Sequence, residues 1–319
     1  MEKIFKLDED KIFPLNWREE DLNLEDLIEK LTVNLLRLAV TKLPPDVKEA
    51  LEDAYERERN PTGRIQLKAI LENIRLAEEE GLPICQDTGL ISFYLRAGSR
   101  FCCLEKIEKA LKRAVAKATI QIPLRPNAVD PLTQKNSGDN TGRFIPYIHW
   151  SIMPGDFLEI TALPKGGGSE NMCALRILRP SDGIAGLKRF VLESVVNAGG
   201  MPCPPTIIGV GLGGGADIAM DLAKKALLRP LNEPHPNRLI SRLEDELLDA
   251  VNRTGIGPMG LGGDTTALAV RVEYAHRHPA SYPVAVAFQC WAARRASARI
   301  YADGRVECLS HGDVDLLED

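Results

Sequence analysis

The stretch "PICQDTG", residues 83–89, sets a thiol, an amide, a carboxylate and a hydroxyl side by side as Cys85, Gln86, Asp87 and Thr88. An ordinary strand end has no need of four different polar functions in a row. A thiolate can ligate a metal or act as a nucleophile, and a positioned carboxylate can take or give a proton. Six more cysteines follow: Cys102, Cys103, Cys173, Cys203, Cys290 and Cys308. Their number is odd with Cys85 included and their spacing is wide, so no disulfide framework is expected. The plain reading of any one of them is a small buried apolar residue. The sharper readings are metal ligand or nucleophile, and local spacing does not choose among them.

Three glycine-rich stretches offer a different chemistry. "GVGLGG" (209–214) fits G-x-G-x-x-G through Gly209, Gly211 and Gly214, after a strand-like run and before a helix-like one. That is the setting of a dinucleotide loop. Its acidic ribose partner should lie about 20 residues on, and Glu233 is near there, but within the loop-like "NEPHPN". A second match, Gly255, Gly257 and Gly260, leads into no helix. "KGGGSE" (165–170) lacks the spacing of a phosphate-binding P-loop. The simpler reading is that these glycines let the backbone turn tightly or approach a neighbour closely.

The elements that must position such residues can be read from periodicity. The segment from about 24 to 81 is helical throughout, interrupted at Pro44–Pro45 and by a turn at "NPTG" (60–63), with Gly81 as a natural stop. Beyond it, strand-like runs alternate with helices, and "TTALAVRVEY", "YPVAVAF" and "ASARIYADG" follow one another as strands. The expected fold is α/β (α+β), a helical front section followed by a mixed sheet flanked by helices, all within one domain over 1–319.

Composition narrows the class of protein. A chain of 319 residues is long enough to hide roughly 75% of its unfolded surface. Apolar residues make up 44%, charged residues 27%, and the net charge is −5, which argues against a nucleic-acid surface. The N-terminus is acidic and has no apolar leader core, and no apolar run approaches a membrane span. The cytoplasm is the expected location.

Six stretches taken together carry a resemblance: "PICQDTG", "LRPNAV", "KGGGSEN", "CPPTIIGVGLGG", "GIGPMGLGGDTTALAV" and "HRHPASYPVAVAFQCWAARR". In this order they resemble the iron–sulfur-dependent class I fumarase / L-tartrate dehydratase family, in its α subunit or the N-terminal domain of its single-chain members, over about residues 25–310. The resemblance implies a [4Fe–4S] cluster held by Cys85, Cys203 and Cys290, with one iron free of protein ligands. These cysteines lie 118 and 87 residues apart, so only the fold could gather them.

The resemblance also implies roles for other residues. Asp87 is expected at the substrate in acid/base work, with Gln86, Arg125, Gly168 and His278 as further substrate contacts. Apart from the resemblance, His276 is expected to be structural, and the other four thiols, Cys102, Cys103, Cys173 and Cys308, fit the plain reading of packing residues, Cys173 following the glycine loop near the expected site. Single-chain members carry a second domain that completes the pocket. This chain ends shortly after "QCWAARRASARIYADG", so a separate β subunit is expected, in an α₂β₂ assembly acting on a small dicarboxylate. The implied activity is fumarate hydratase, with L-tartrate dehydratase as the alternative. A nucleotide-binding oxidoreductase using "GVGLGG" and a non-catalytic iron–sulfur scaffold stand further off.

Overall fold

The computed structural model describes residues 24–312 and 314–318. The N-terminal stretch read above as lacking a leader lies outside them. Among the described residues no helix is long and apolar enough to cross a membrane.

The chain opens with helices α1 (Leu24–Thr41), α2 (Pro45–Arg57) and α3 (Pro61–Glu80). "NPTG" is not a turn between helices but the start of α3. The Asn60 side-chain oxygen accepts from the amides of Thr62 and Gly63 at 2.9 and 3.2 Å, and Pro61 takes the first helical position, where its missing N–H costs nothing. Gly81 ends α3 in the left-handed conformation, as expected.

The remaining elements are β1 (Leu90–Gly98), α4 (Leu104–Gln121), β2 (Tyr147–Met153), β3 (Phe157–Lys165), the single turn α5 (Gly167–Glu170), β4 (Ala174–Leu178), α6 (Gly183–Ala198), β5 (Thr206–Gly214), α7 (Ala216–Ala226), α8 (Arg238–Asn252), β6 (Ala267–Arg277), β7 (Tyr282–Gln289), β8 (Ala296–Tyr301) and β9 (Val306–Cys308). The class is mixed α/β, as the alternation of patterns predicts, but the described residues form two sheets rather than one. The first has the order β2-β1-β3-β8-β9 and the second β4-β7-β5-β6. The three consecutive late strands divide between them: β6 and β7 join the second sheet, β8 the first.

The front helices do not form a layer of their own. Ile28, Leu31, Leu35 and Leu36 of α1 share a core with α4 and with β1, β3 and β8. Val47 and Leu51 of α2, with Leu67, Ile70 and Ile74 of α3, pack instead with α7 and the second sheet. The other face of that sheet is covered by α6 and α8, through Leu187, Phe190, Leu243 and Leu247.

The structure also explains the first glycine motif. Gly209 and Gly211 lie inside β5, not in a loop. A β-carbon on Gly209 would sit 2.0 Å from the Ala223 carbonyl oxygen, and one on Gly211 only 1.8 Å from that of Ala219. These glycines let α7 lie directly on the strand, and no phosphate loop forms there. Gly211→Ala is therefore expected to destabilise the protein by at least ~3 kcal/mol, at the upper end of overpacking costs. Urea unfolding measures it, and a change below about 1 kcal/mol would show that α7 can shift away freely.

Candidate functional site

Strand register brings together residues that the chain keeps far apart. In the antiparallel β1–β3 pair Leu90 faces Lys165, so residues 85–89, just before β1, meet residues 166–168, just after β3. In the β5–β7 pair Ile207 faces Gln289, so Cys203, just before β5, meets Cys290, just after β7. The segment 290–295 then crosses from the second sheet to the first. Because Ala162 faces Ala296, Arg294 arrives beside the same junction.

Direct contacts tie these ends together. The Gly167 amide donates to Asp87 Oδ2 at 2.8 Å, and the Trp291 amide donates to the Cys203 carbonyl at 3.1 Å. Arg294 Nη1 donates to the Asp87 carbonyl at 2.7 Å. The three expected ligands are close enough to act on one another electrically. Burial pushes the Cys203 thiol up, and Cys85 and Asp87 push it the same way. Burial also raises Cys290, with Cys203 and Cys85 adding to the effect and Arg294 opposing it. Metal uptake by such thiols must release protons.

Cys203 is held in the left-handed conformation with φ 55°, which costs a non-glycine residue roughly 1–2 kcal/mol. The surroundings impose it. Its amide bonds to the Gly200 carbonyl at 3.0 Å, and the Met259 amide bonds to the next carbonyl, that of Pro204, at 2.8 Å. This loop is the second glycine motif. Gly255, Gly257, Gly260, Gly262 and Gly263 all have positive φ, and the buried Glu58 carboxylate accepts from the amides of Asp264 and Thr265 behind it. The glycines of "GIGPMG" thus shape a brace behind Cys203.

Asp87 combines two roles. Its Oδ1 accepts from the Gly89 amide at 3.0 Å and from Asn127 Nδ2 at 3.4 Å, a local turn contact, while Oδ2 reaches across to Gly167. Gly166 has almost no room for a side chain, since a β-carbon there would lie 3.0 Å from Asp87 Oδ2. Gly168 is exposed, with space limited by the Met201 carbonyl at 3.2 Å from its would-be β-carbon. The Arg125 amide donates to Thr88 Oγ1 at 3.0 Å. Its side chain is exposed and has no ion-pair partner among the described residues. Gln86 is exposed beside Cys85. With Met201 also exposed, this face of the molecule is open.

His278 is the exception. It lies in the turn between β6 and β7, exposed, with Nδ1 accepting from the Ala280 amide at 3.2 Å. Cys290 follows the other end of β7, so the length of that strand, roughly 25 Å, separates them. One chain does not bring His278 to the other candidates. His276, expected to be structural, is likewise exposed, at the end of β6. Of the other thiols, Cys102, Cys103 and Cys308 pack against the first core. Cys173 packs against the second, next to Ser169 and Glu170.

The residues present fit a thiolate-held cluster. Among the described residues no three His, Cys, Asp or Glu side chains converge as ligands of one ion. A cluster asks for less, because each thiolate binds a different iron. Arg294 supplies the independent sign. It is 1% exposed and its Nε has no hydrogen-bond partner. A buried guanidinium close enough to act on Cys290, and bonded to the backbone of Asp87, calls for negative charge there. The sequence did not single out Arg294, nor Asn127 and Glu58; "CWAARR" contains two arginines in apolar company, a pattern that points to burial only in hindsight.

A cavity of about 730 Å³ opens nearby, lined by Tyr94, His149, Lys165, Glu170, Asp221 and Lys224, but the thiols are not part of it. Lys165 and Glu170 link it to the site, for Lys165 Nζ donates to the Phe288 carbonyl at 2.7 Å and pairs with Glu170 at 3.2 Å.

Comparison with known proteins identifies the family. The profile of the family described as "Fumarate hydratase (Fumerase)" matches residues 29–299. A protein of Methanocaldococcus jannaschii, provisionally named L(+)-tartrate dehydratase subunit alpha, is 50% identical over 283 residues, covering 88% of this chain and 99% of its own. The L(+)-tartrate dehydratase subunit alpha of Escherichia coli strain UTI89 is 39% identical over 293 residues, covering 91% and 97%. That of strain K12 is 38% identical over the same length. On a match of this extent, the chain belongs to the fumarate hydratase (fumerase) family of hydro-lyases.

Proposed function

We propose that this chain is the cluster-bearing α subunit of an iron–sulfur hydro-lyase that interconverts (S)-malate with fumarate and water. The observation that supports it most is the meeting of Cys85, Cys203 and Cys290 with Asp87 at one open junction of strand ends. The three thiolates would hold the cluster. When bound, it supplies an iron free of protein ligands, a Lewis acid for a substrate hydroxyl.

The chain's own residues do the rest. Two backbone amides and Asn127 hold the Asp87 carboxylate in one orientation, ready to exchange a proton with substrate at an Oδ atom. The exposed Arg125 guanidinium can grip a substrate carboxylate with two parallel hydrogen bonds. Gln86 adds an amide, and Gly168 lets substrate lie against bare backbone. His278 can take part only if another copy of the chain presents it, which is consistent with an α₂β₂ assembly. The β subunit would cover the open face.

L(+)-tartrate dehydration is the second reading, favoured by the names of the relatives at 38–50% identity. The deciding experiment is anaerobic co-production with the β subunit followed by assay on malate, fumarate and tartrate. Malate–fumarate turnover is expected to dominate; turnover of tartrate alone would give the second reading. A colourless product that binds NAD would instead revive the oxidoreductase reading. In the same assay Asp87→Asn should lower kcat by at least ~100-fold, the scale of a lost acid/base group, with the cluster's visible absorbance retained. Unchanged kcat would leave Asp87 as a turn residue only.

A further inference from the structure

Arg294 is among the largest fully buried side chains of the protein, and its electrostatic situation differs from that of its peers. Arg229 and Arg271 share the buried carboxylate of Glu244, and Arg295 pairs with Asp46. Arg294 has no ion-pair partner among the described residues. One of its nitrogens holds the Asp87 carbonyl, while Nε has no acceptor at all. Asp87 does not neutralise it through its carboxylate. A would-be β-carbon on Gly166 lies 3.0 Å from Asp87 Oδ2 and 3.5 Å from Arg294 Nη2, so the two groups flank Gly166, yet they form no ion pair.

A buried cation without a counter-charge is a costly feature to keep. It makes sense where the counter-charge arrives with a ligand. Three thiolates outweigh the two positive charges of an oxidised [4Fe–4S] core and leave net negative charge at this junction. We infer that Arg294 is the built-in counter-charge of the cluster and, through the Asp87 carbonyl, the residue that sets the position of the Asp87 loop against it. This rests on the assignment of Cys85, Cys203 and Cys290 as cluster ligands. Arg294 does not touch substrate in this scheme; it is a positioning residue that also tunes the cluster. Its position four residues after Cys290, on the crossing between the two sheets, is what allows one side chain to serve both.

The test compares wild type with Arg294→Met and Arg294→Lys in the full chain, purified anaerobically, with and without the cluster. In the iron-free protein Arg294→Met should melt at or above the wild-type temperature, because it removes an uncompensated charge. In the loaded protein it should melt lower. Its cluster should be harder to reduce and should lose iron to a ferrous chelator faster by about tenfold or more, as for other outer-shell partners of a metal site. Arg294→Lys should restore most of the potential and retention, since it keeps the charge. Equal loss of melting temperature in both forms, with unchanged potential, would make Arg294 a structural residue and overturn the inference. A wild-type chain that takes up no cluster would instead overturn the ligand assignment on which it stands.

Discussion

Cys85→Ser, Cys203→Ser and Cys290→Ser are each expected to yield a protein without cluster absorbance and with iron at background. A serine hydroxyl is far harder to deprotonate than a thiol and is a poor match for iron–sulfur chemistry. If these three are the ligands, the loss of one leaves two. Cys102→Ser, Cys103→Ser and Cys308→Ser should keep the cluster. Cys102 and Cys103 follow the far end of β1 from the "CQDTG" loop, and Cys308 lies on β9, with β8 and β3 between it and β1. Iron and sulfide analysis with visible absorbance reads all six. Normal iron content in any of the first three variants would remove that residue from the ligand set.

The second large effect concerns the open face. The purified chain with its cluster reconstituted should hydrate fumarate at least ~100-fold more slowly than the same chain with a β subunit, a loss on the scale of removing a single transition-state donor. A dicarboxylate carries two negative charges, and Arg125 is the exposed arginine that the junction of strand ends offers. Arg294 is buried and already bonded to Asp87. Gln86, Arg125, Gly168 and Met201 all lie exposed, so nothing among the described residues keeps water from the place where an elimination would occur. The relatives are themselves named as alpha subunits. Adding the β subunit should restore the rate. Substantial steady-state malate formation by the chain alone, with β subunit rigorously absent, would mean that the pocket is completed within the chain or between two copies of it.

Much of the local structure was legible in the sequence. The helical reading of about 24 to 81 is met by α1, α2 and α3, and Gly81 stops α3 as its conformational freedom suggests. Periodicity and capping act over a few residues, so a short window contains their cause. By contrast β2, β4 and β9 escaped notice, being short or lacking a clean buried alternation.

Tertiary structure decided the rest because its causes lie far apart in the chain. Nothing local shows that α1 packs on one sheet and α2 and α3 on the other, or that β8 leaves its two predecessors for the first sheet. "GVGLGG" reads the same whether its glycines open a loop for a phosphate or let α7 rest on β5; only the 1.8 Å approach of Ala219 to Gly211 tells them apart. The family resemblance put Cys85, Cys203, Cys290, Asp87, Arg125 and Gly168 forward together with His278. Register, with the Arg125 amide bonded to Thr88, sets the first six around one junction and leaves His278 at the other end of β7. Arg294 became visible only because its buried charge has no ion-pair partner among the described residues, a property of the whole surrounding shell that a sequence window cannot contain.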